Sequence, residues 1–283
     1  MNIRVWSWLM LPMLLVLSGC PSDGGSGIGR EGTAAPSVLY VANQTSNDVT
    51  AYMINATTGA LTSVGAAVAA GTTPSAVTVS PNRSFAYVTN SGSNNVSAYT
   101  INATTGALTS VGAAVAAGTT PSAVAVSPNG AFLFVANQGS SNISVYTIDS
   151  GTGAITALLG GTGNPFTAGT TPVGITITPN GAFVHVANSG SNNVSAFSVN
   201  TGTGALTALA GGIGNPFAAG TTPAGITITP NASFVYVANG GSNNVSGYSL
   251  DSGTGALTAL AGGTGNPFAA GTSPSGIATP GRP

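Results

Sequence analysis

One hexapeptide, Phe85-Ala86-Tyr87-Val88-Thr89-Asn90, recurs in five related copies and constrains what this chain can fold into. The copies end on Asn43, Asn90, Asn137, Asn188 and Asn239, a period of 47, 47, 51 and 51 residues. A period of this size marks a repeat architecture. Each copy is one supersecondary unit that buries its apolar face only by stacking on its neighbours.

The second copy shows the unit. Ser75 to Val79 is a short run of small and β-branched residues, broken by Pro81-Asn82, residues suited to a turn. Phe85 to Thr89 follows, with Phe85 and Tyr87 on one face and Ala86 and Val88 on the other. Asn90 to Asn95 reads as a loop, Val96 to Ile101 as a third strand, and Asn102 to Gly106 as a turn into a weaker strand, Ala107 to Val111. We denote these strands a, b, c and d. Four antiparallel strands per copy without helical periodicity predict an all-β chain, a β-propeller of four-stranded blades. A β-solenoid, winding each unit as two coils, is the alternative. The four unequal strands between turn signals favour the propeller.

The ends predict how a ring would close. The chain enters at a strand b, Val38 to Ala42, and leaves after a strand-a copy, Gly276-Ile277-Ala278-Thr279-Pro280. One C-terminal strand joined to three N-terminal ones would complete a fifth blade. The other possibility is a shortened array that pairs its open edges with a second copy. Closure in a monomer is expected, because open edges with so little charge to guard them would aggregate.

Charge is the scarce ingredient, 3% of residues against an ordinary level of about 25%. There is no Lys, and beyond residue 36 the ionisable set is Asp48, Arg83, Asp149, His185, Asp251 and Arg282, with the tyrosines. No basic cluster exists to neutralise phosphates, which excludes nucleic acid as a partner. A single Cys excludes an intrachain disulfide framework and a cysteine metal cage. After residue 20 no apolar run approaches the ~20 residues of a membrane-spanning helix.

Residues 1–19 read as a signal peptide, with Arg4 before an apolar run from Val5 to Leu17. Leu17-Ser18-Gly19-Cys20 resembles the bacterial lipobox, which implies cleavage before Cys20 and its lipidation. Pro21 at the next position implies passage to the outer membrane. Residues 20–36 then form a flexible Gly/Ser-rich tether, and residues 37–283 the propeller. The expected location is the bacterial cell envelope, lipid-anchored at the outer membrane, on its periplasmic face or the cell surface. Gly27 to Gly32 matches a dinucleotide-binding fingerprint in letters only, since no strand precedes it and no apolar helix follows.

Tyr87-Val88-Thr89-Asn90 and its variants Tyr40-Val41-Ala42-Asn43, Phe134-Val135-Ala136-Asn137, His185-Val186-Ala187-Asn188 and Tyr236-Val237-Ala238-Asn239 resemble the YVTN repeats of the lactonase-type, 6-phosphogluconolactonase-like propellers. The later copies add Gly160 to Phe166, Gly211 to Phe217 and Gly262 to Phe268, which supply the four extra residues. The resemblance spans Ser37 to about Pro280. It implies lactone hydrolysis by Glu, His and Arg lining a central channel, and a ring of seven blades. This body departs on both points: it has no Glu, one His, two Arg and five repeats.

No catalytic residue, cofactor or metal site is therefore expected. His185 stands in the slot of Tyr40, Tyr87, Phe134 and Tyr236, where a ring packed between blades is the expectation. Asp149 and Asp251 align with Asn55, Asn102 and Asn200, and Asx-turn chemistry explains all five. The series Tyr52, Tyr99, Tyr146, Phe197 and Tyr248 on strand c reads as inter-blade core. The Asn-x-Ser triplets at Asn95, Asn193 and Asn244 read as turn residues. The expected function is binding or scaffolding of a protein or glycan through equivalent b–c loops, with Ser91, Asn94, Asn95, Ser189, Asn192, Asn193, Asn243 and Asn244 as contacts. Lactone hydrolysis is the alternative, and a structural repeat without a specific ligand the third reading.

Overall fold

The computed structural model describes residues 37–158, 164–209, 215–261 and 266–279. The signal, lipidation and tether assignments of residues 1–36, and most of the inserted glycines, lie outside the described residues. Among the described residues there is no helix, and the strands form five antiparallel sheets in chain order.

In the second sheet Pro74–Val79, Phe85–Asn90 and Asn95–Ile101 pair in succession. The expected fourth strand forms as Leu108–Ser110, and a further two-residue strand, Val115–Ala116, joins the sheet beyond it. Leu108–Ser110 pairs with one end of Asn95–Ile101, and Val115–Ala116 pairs with the other. The chain leaves the ladder between them, where Gly112 takes a φ of 63°. In the third sheet a side chain occupies that gap: Asn164 Oδ1 accepts from Val145 N at 2.9 Å, and its Nδ2 donates to the Val145 and Leu158 carbonyls. Asn215 and Asn266 repeat the bond to Ala196 and Gly247. The longer repeats thus end their insertion on an amide that takes the place of strand backbone.

Strand b is buried on both faces in the second, third and fourth sheets, each of which is stacked between two others. All six residues of Phe85–Asn90 are buried. Phe85 and Tyr87 pack on Leu133, Val135, Tyr146, Ile148 and Ile155 of the third sheet, each ring removing enough apolar surface from water to contribute roughly 1.5–3 kcal/mol. Polar tips are satisfied across the same seams. Tyr87 Oη donates to the Gly153 carbonyl at 3.2 Å and Tyr40 Oη to that of Gly106 at 2.8 Å. The strand-c tyrosines reach back instead, Tyr99 Oη to Ala69 O and Tyr146 Oη to Ala116 O. The recurrent Asn has an internal role too: Asn90 Nδ2 donates to Asn95 Oδ1 at 2.8 Å and Ser97 Oγ at 3.0 Å, tying strand b to strand c at the mouth of their loop.

The innermost strands Pro74–Val79, Pro121–Val126, Pro172–Ile177 and Pro223–Ile228 lie side by side, as propeller blades place them. Among the described residues the shared sheet expected at the ends is not formed: Val38–Asn43 pairs with Asp48–Ile54 alone, and residues 274–279 carry no strand. Ile277 instead stands against Gly225 as Ile226 stands against Gly174, 3.4 and 3.2 Å from where each β-carbon would be. Thr279 Oγ1 donates to Ile228 O at 2.9 Å. The segment therefore lies in the place of a further inner strand beside the fifth sheet, and gains its contacts there rather than along the first sheet. Leu39 and Val41 are left 40% and 37% exposed, where their counterparts Leu133 and Val135 are fully buried.

Candidate functional site

The b–c loops expected to contact a ligand sit at equivalent points of successive sheets, and most of their polar atoms are used in the fold. Asn94, Asn192 and Asn243 are exposed and hold φ near 55°, a conformation that Asn tolerates better than most residues. Their Oδ1 atoms accept from the backbone N–H of Thr120, Thr222 and Ser273 at 2.7–2.8 Å, linking each loop to the next repeat. Asn95, Asn193 and Asn244 accept from the amides of Asn90, Asn188 and Asn239. Ser91 Oγ donates to Thr73 O at 2.9 Å, and Ser189 N to Thr171 O at 2.9 Å. Asn192→Ala is expected to lower stability by about 1–2 kcal/mol, combining the left-handed backbone with a lost hydrogen bond. Asn192→Gly should recover the backbone part. Urea midpoints of the two variants measure the difference.

Among the described residues the ionisable groups do not converge. His185 is fully buried, its Nε2 donating to the Gly255 carbonyl at 2.9 Å across the seam between the fourth and fifth sheets. It performs there what Tyr87 does two interfaces earlier, and burial pushes its pKa down to about 4. Asp149 Oδ1 accepts from Thr152 N, Thr152 Oγ1 and Gly151 N, which holds its carboxyl below the usual range. Asp251 does likewise, chiefly with Gly253 N and Thr254 N. Asn55 accepts from Thr57 N in the same turn, so the Asx reading describes these positions. Asp48 is bonded to Asn43 and Ser46. Among the described residues no three of His, Cys, Asp and Glu come together in a metal-holding group. The four innermost strands carry no ionisable side chain.

Repeat symmetry breaks at one seam, and comparing the copies would have found it. Between the first and second sheets, Val38 replaces the strand-b Phe, Arg83 replaces the Gly or Ala of the other a–b turns, and a cavity of about 390 Å³ opens.

The family model described as "Lactonase, 7-bladed beta-propeller" matches residues 65–165 and 161–268. No curated protein sequence matches. Among solved structures, a putative 6-phosphogluconolactonase from Bacteroides fragilis NCTC 9343 aligns with TM-score 0.70 and 19% identity, over 84% of this chain and 69% of that one. A putative 6-phosphogluconolactonase from Bacteroides uniformis ATCC 8492 aligns with TM-score 0.68 and 20% identity, over 79% and 66%. A periplasmic gluconolactonase of Pseudomonas aeruginosa gives 0.63 and 21%, over 79% and 66%. At these identities the likeness carries the fold alone, and the chain spans about two thirds of each structure's length.

Proposed function

Because this chain belongs to the lactonase family of seven-bladed β-propellers, we propose that it acts on lactones, as a hydrolase of the ring ester. The family match carries this reading and favours it over the scaffolding role expected from composition. Hydrolysis needs a group to activate water and donors aimed at the developing oxyanion. His185 is sealed within a seam and does not serve as that base in this geometry. Purified full-length protein assayed on 6-phosphogluconolactone and glucono-δ-lactone should open the ring above the uncatalysed rate, and His185→Phe should retain that rate. Turnover lost in His185→Phe would place the base at His185. Absence of turnover on every lactone would remove the hydrolase reading.

A binding module is the second reading, supported by the repeated neutral loops around Ser91, Asn94 and Asn95 and their counterparts. It would engage a glycan or protein by hydrogen bonds, and a glycan array or envelope pull-down that recovers nothing specific would count against it. The anchor belongs to the same proposal: a lipidated Cys20 holding the protein at the outer membrane of the cell envelope. Cys20→Ser should move the protein from the membrane fraction to the soluble fraction, and unchanged retention would refute it.

A ring of five blades closed within a monomer is the finer architecture of this proposal. Its support is a matched pair of faces. Phe234 and Tyr236 of the fifth sheet are half-buried where Phe85 and Tyr87 are buried, and Leu39 and Val41 are the exposed counterparts of their partners. A monomeric mass by light scattering with amide-exchange protection across residues 38–43 would support closure. Fast exchange there would oppose it.

A further inference from the structure

We propose that the seam between the first and second sheets is a binding site for a small aromatic carboxylate. The inference stands apart from the lactone reading and uses the repeat as its own control. At the next three seams a strand-b phenylalanine, Phe85, Phe132 or Phe183, is pressed against a glycine, Gly153, Gly204 or Gly255. Each of those glycines has φ of 75–77°, and the ring covers it. Gly106 has the same backbone, φ 74°, but Val38 stands against it. The cavity measures about 390 Å³ there, against about 200 and 220 Å³ beside Phe85 and Phe132, where the a–b turn before each phenylalanine also lines the space. A site of this size lies in the range that encloses small organic ligands. Its apolar wall is Val38, Val79, Ile101 and Gly106, which suits an aryl ring in the position the missing phenyl takes elsewhere.

The second departure gives the ligand its charge. Arg83 lines this cavity from the a–b turn, at the position held by Gly130, Gly181 and Ala232 in the other copies. Its φ is 58°, a left-handed conformation that costs a side-chain-bearing residue roughly 1–2 kcal/mol. Ala232 holds the same backbone at the equivalent turn, φ 56°, so the conformation belongs to the turn and the guanidinium is what sets Arg83 apart. The described acids do not use Arg83, since Asp48, Asp149 and Asp251 are bonded within their own turns. A guanidinium offers a planar fork that matches a carboxylate. Asn82, Ser84 and Asn102 add polar groups around the same opening. An aryl ring against Val38 with an acid at Arg83 satisfies both departures together.

The probe is phenylacetate, titrated into the full-length protein by calorimetry and ligand-observed NMR, with acetate and benzyl alcohol as comparators. Saturable binding of phenylacetate is expected, with both comparators weaker. Val38→Phe restores the residue of the other copies, so it should fold, and it should weaken binding by about tenfold or more by filling the space. Arg83→Gln should weaken phenylacetate by about three- to fivefold, as loss of a partly exposed ion pair does, and leave benzyl alcohol unchanged. No saturable binding to the wild type, or affinity unchanged in Val38→Phe, overturns the site. Affinity unchanged in Arg83→Gln overturns the assignment of an acid as its ligand.

Discussion

Lowering the pH from 7 to 4 is expected to remove about 3 kcal/mol of stability through His185. The imidazole has a pKa of about 4 in the folded protein because it is wholly buried, and an unfolded-chain value of about 6.5. Above pH 6.5 both states are neutral and the contribution is complete. Below it the unfolded chain binds a proton that the folded chain refuses, so stability falls until the folded value is reached and then levels off. His185→Tyr should flatten this window. A tyrosine hydroxyl there would reach Gly255 O as that of Tyr87 reaches Gly153 O, and the substitution removes a buried Nδ1 that has no hydrogen-bond partner among the described residues. Urea midpoints at half-unit pH steps provide the measurement, and a wild-type profile level between pH 6.5 and 4.5 would contradict it. Asp149 and Asp251 act in a separate window. Their carboxyl pKa values are lowered, so their contribution is present above about 3.8 and lost only as pH falls further.

Gly153→Ala is expected to cost about 2–5 kcal/mol. The φ of +75° disfavours a β-carbon by roughly 1–2 kcal/mol, and that carbon would stand 2.2 Å from Phe85 Cδ1, adding an overpacking cost of roughly 1–3 kcal/mol. Gly59→Ala isolates the first part. Gly59 occupies the same turn of the first sheet with φ +71°, but nothing lies within 4 Å of its added carbon. The difference between the two midpoints in urea is therefore the steric cost of the seam. Equal losses would mean that Phe85 yields without resistance and that the sheets pack more loosely than this structure has them.

Much of the local structure is legible in the residues. Period-2 alternation locates strands b and c to within a residue of Phe85–Asn90 and Asn95–Ile101, because which side chains share a face depends only on the extended backbone. Turn chemistry explains Asp149 and Asp251 for a similarly local reason, bonds to residues two or three positions away. The outer strand Leu108–Ser110 is legible as part of the run Ala107 to Val111, whereas Val115–Ala116 is too short to alternate and is set by where it meets Asn95–Ile101. The loop asparagines read as free surface because their bonding partners, Thr120 for Asn94 and Thr222 for Asn192, belong to the next repeat.

From the residues alone follow the five copies, their a, b and c strands, the turns between them and a body almost without charge, since each is written in neighbours a few positions apart. Stacking decided the rest. The Tyr40–Gly106 and His185–Gly255 contacts join residues 66 and 70 positions apart. Only when one sheet lies on the next does a histidine become a neutral strut, a valine leave a cavity beside an arginine, and Leu39 and Val41 stand exposed where their counterparts are buried. Burial and packing are properties of two surfaces together, and a single repeat contains only one of them.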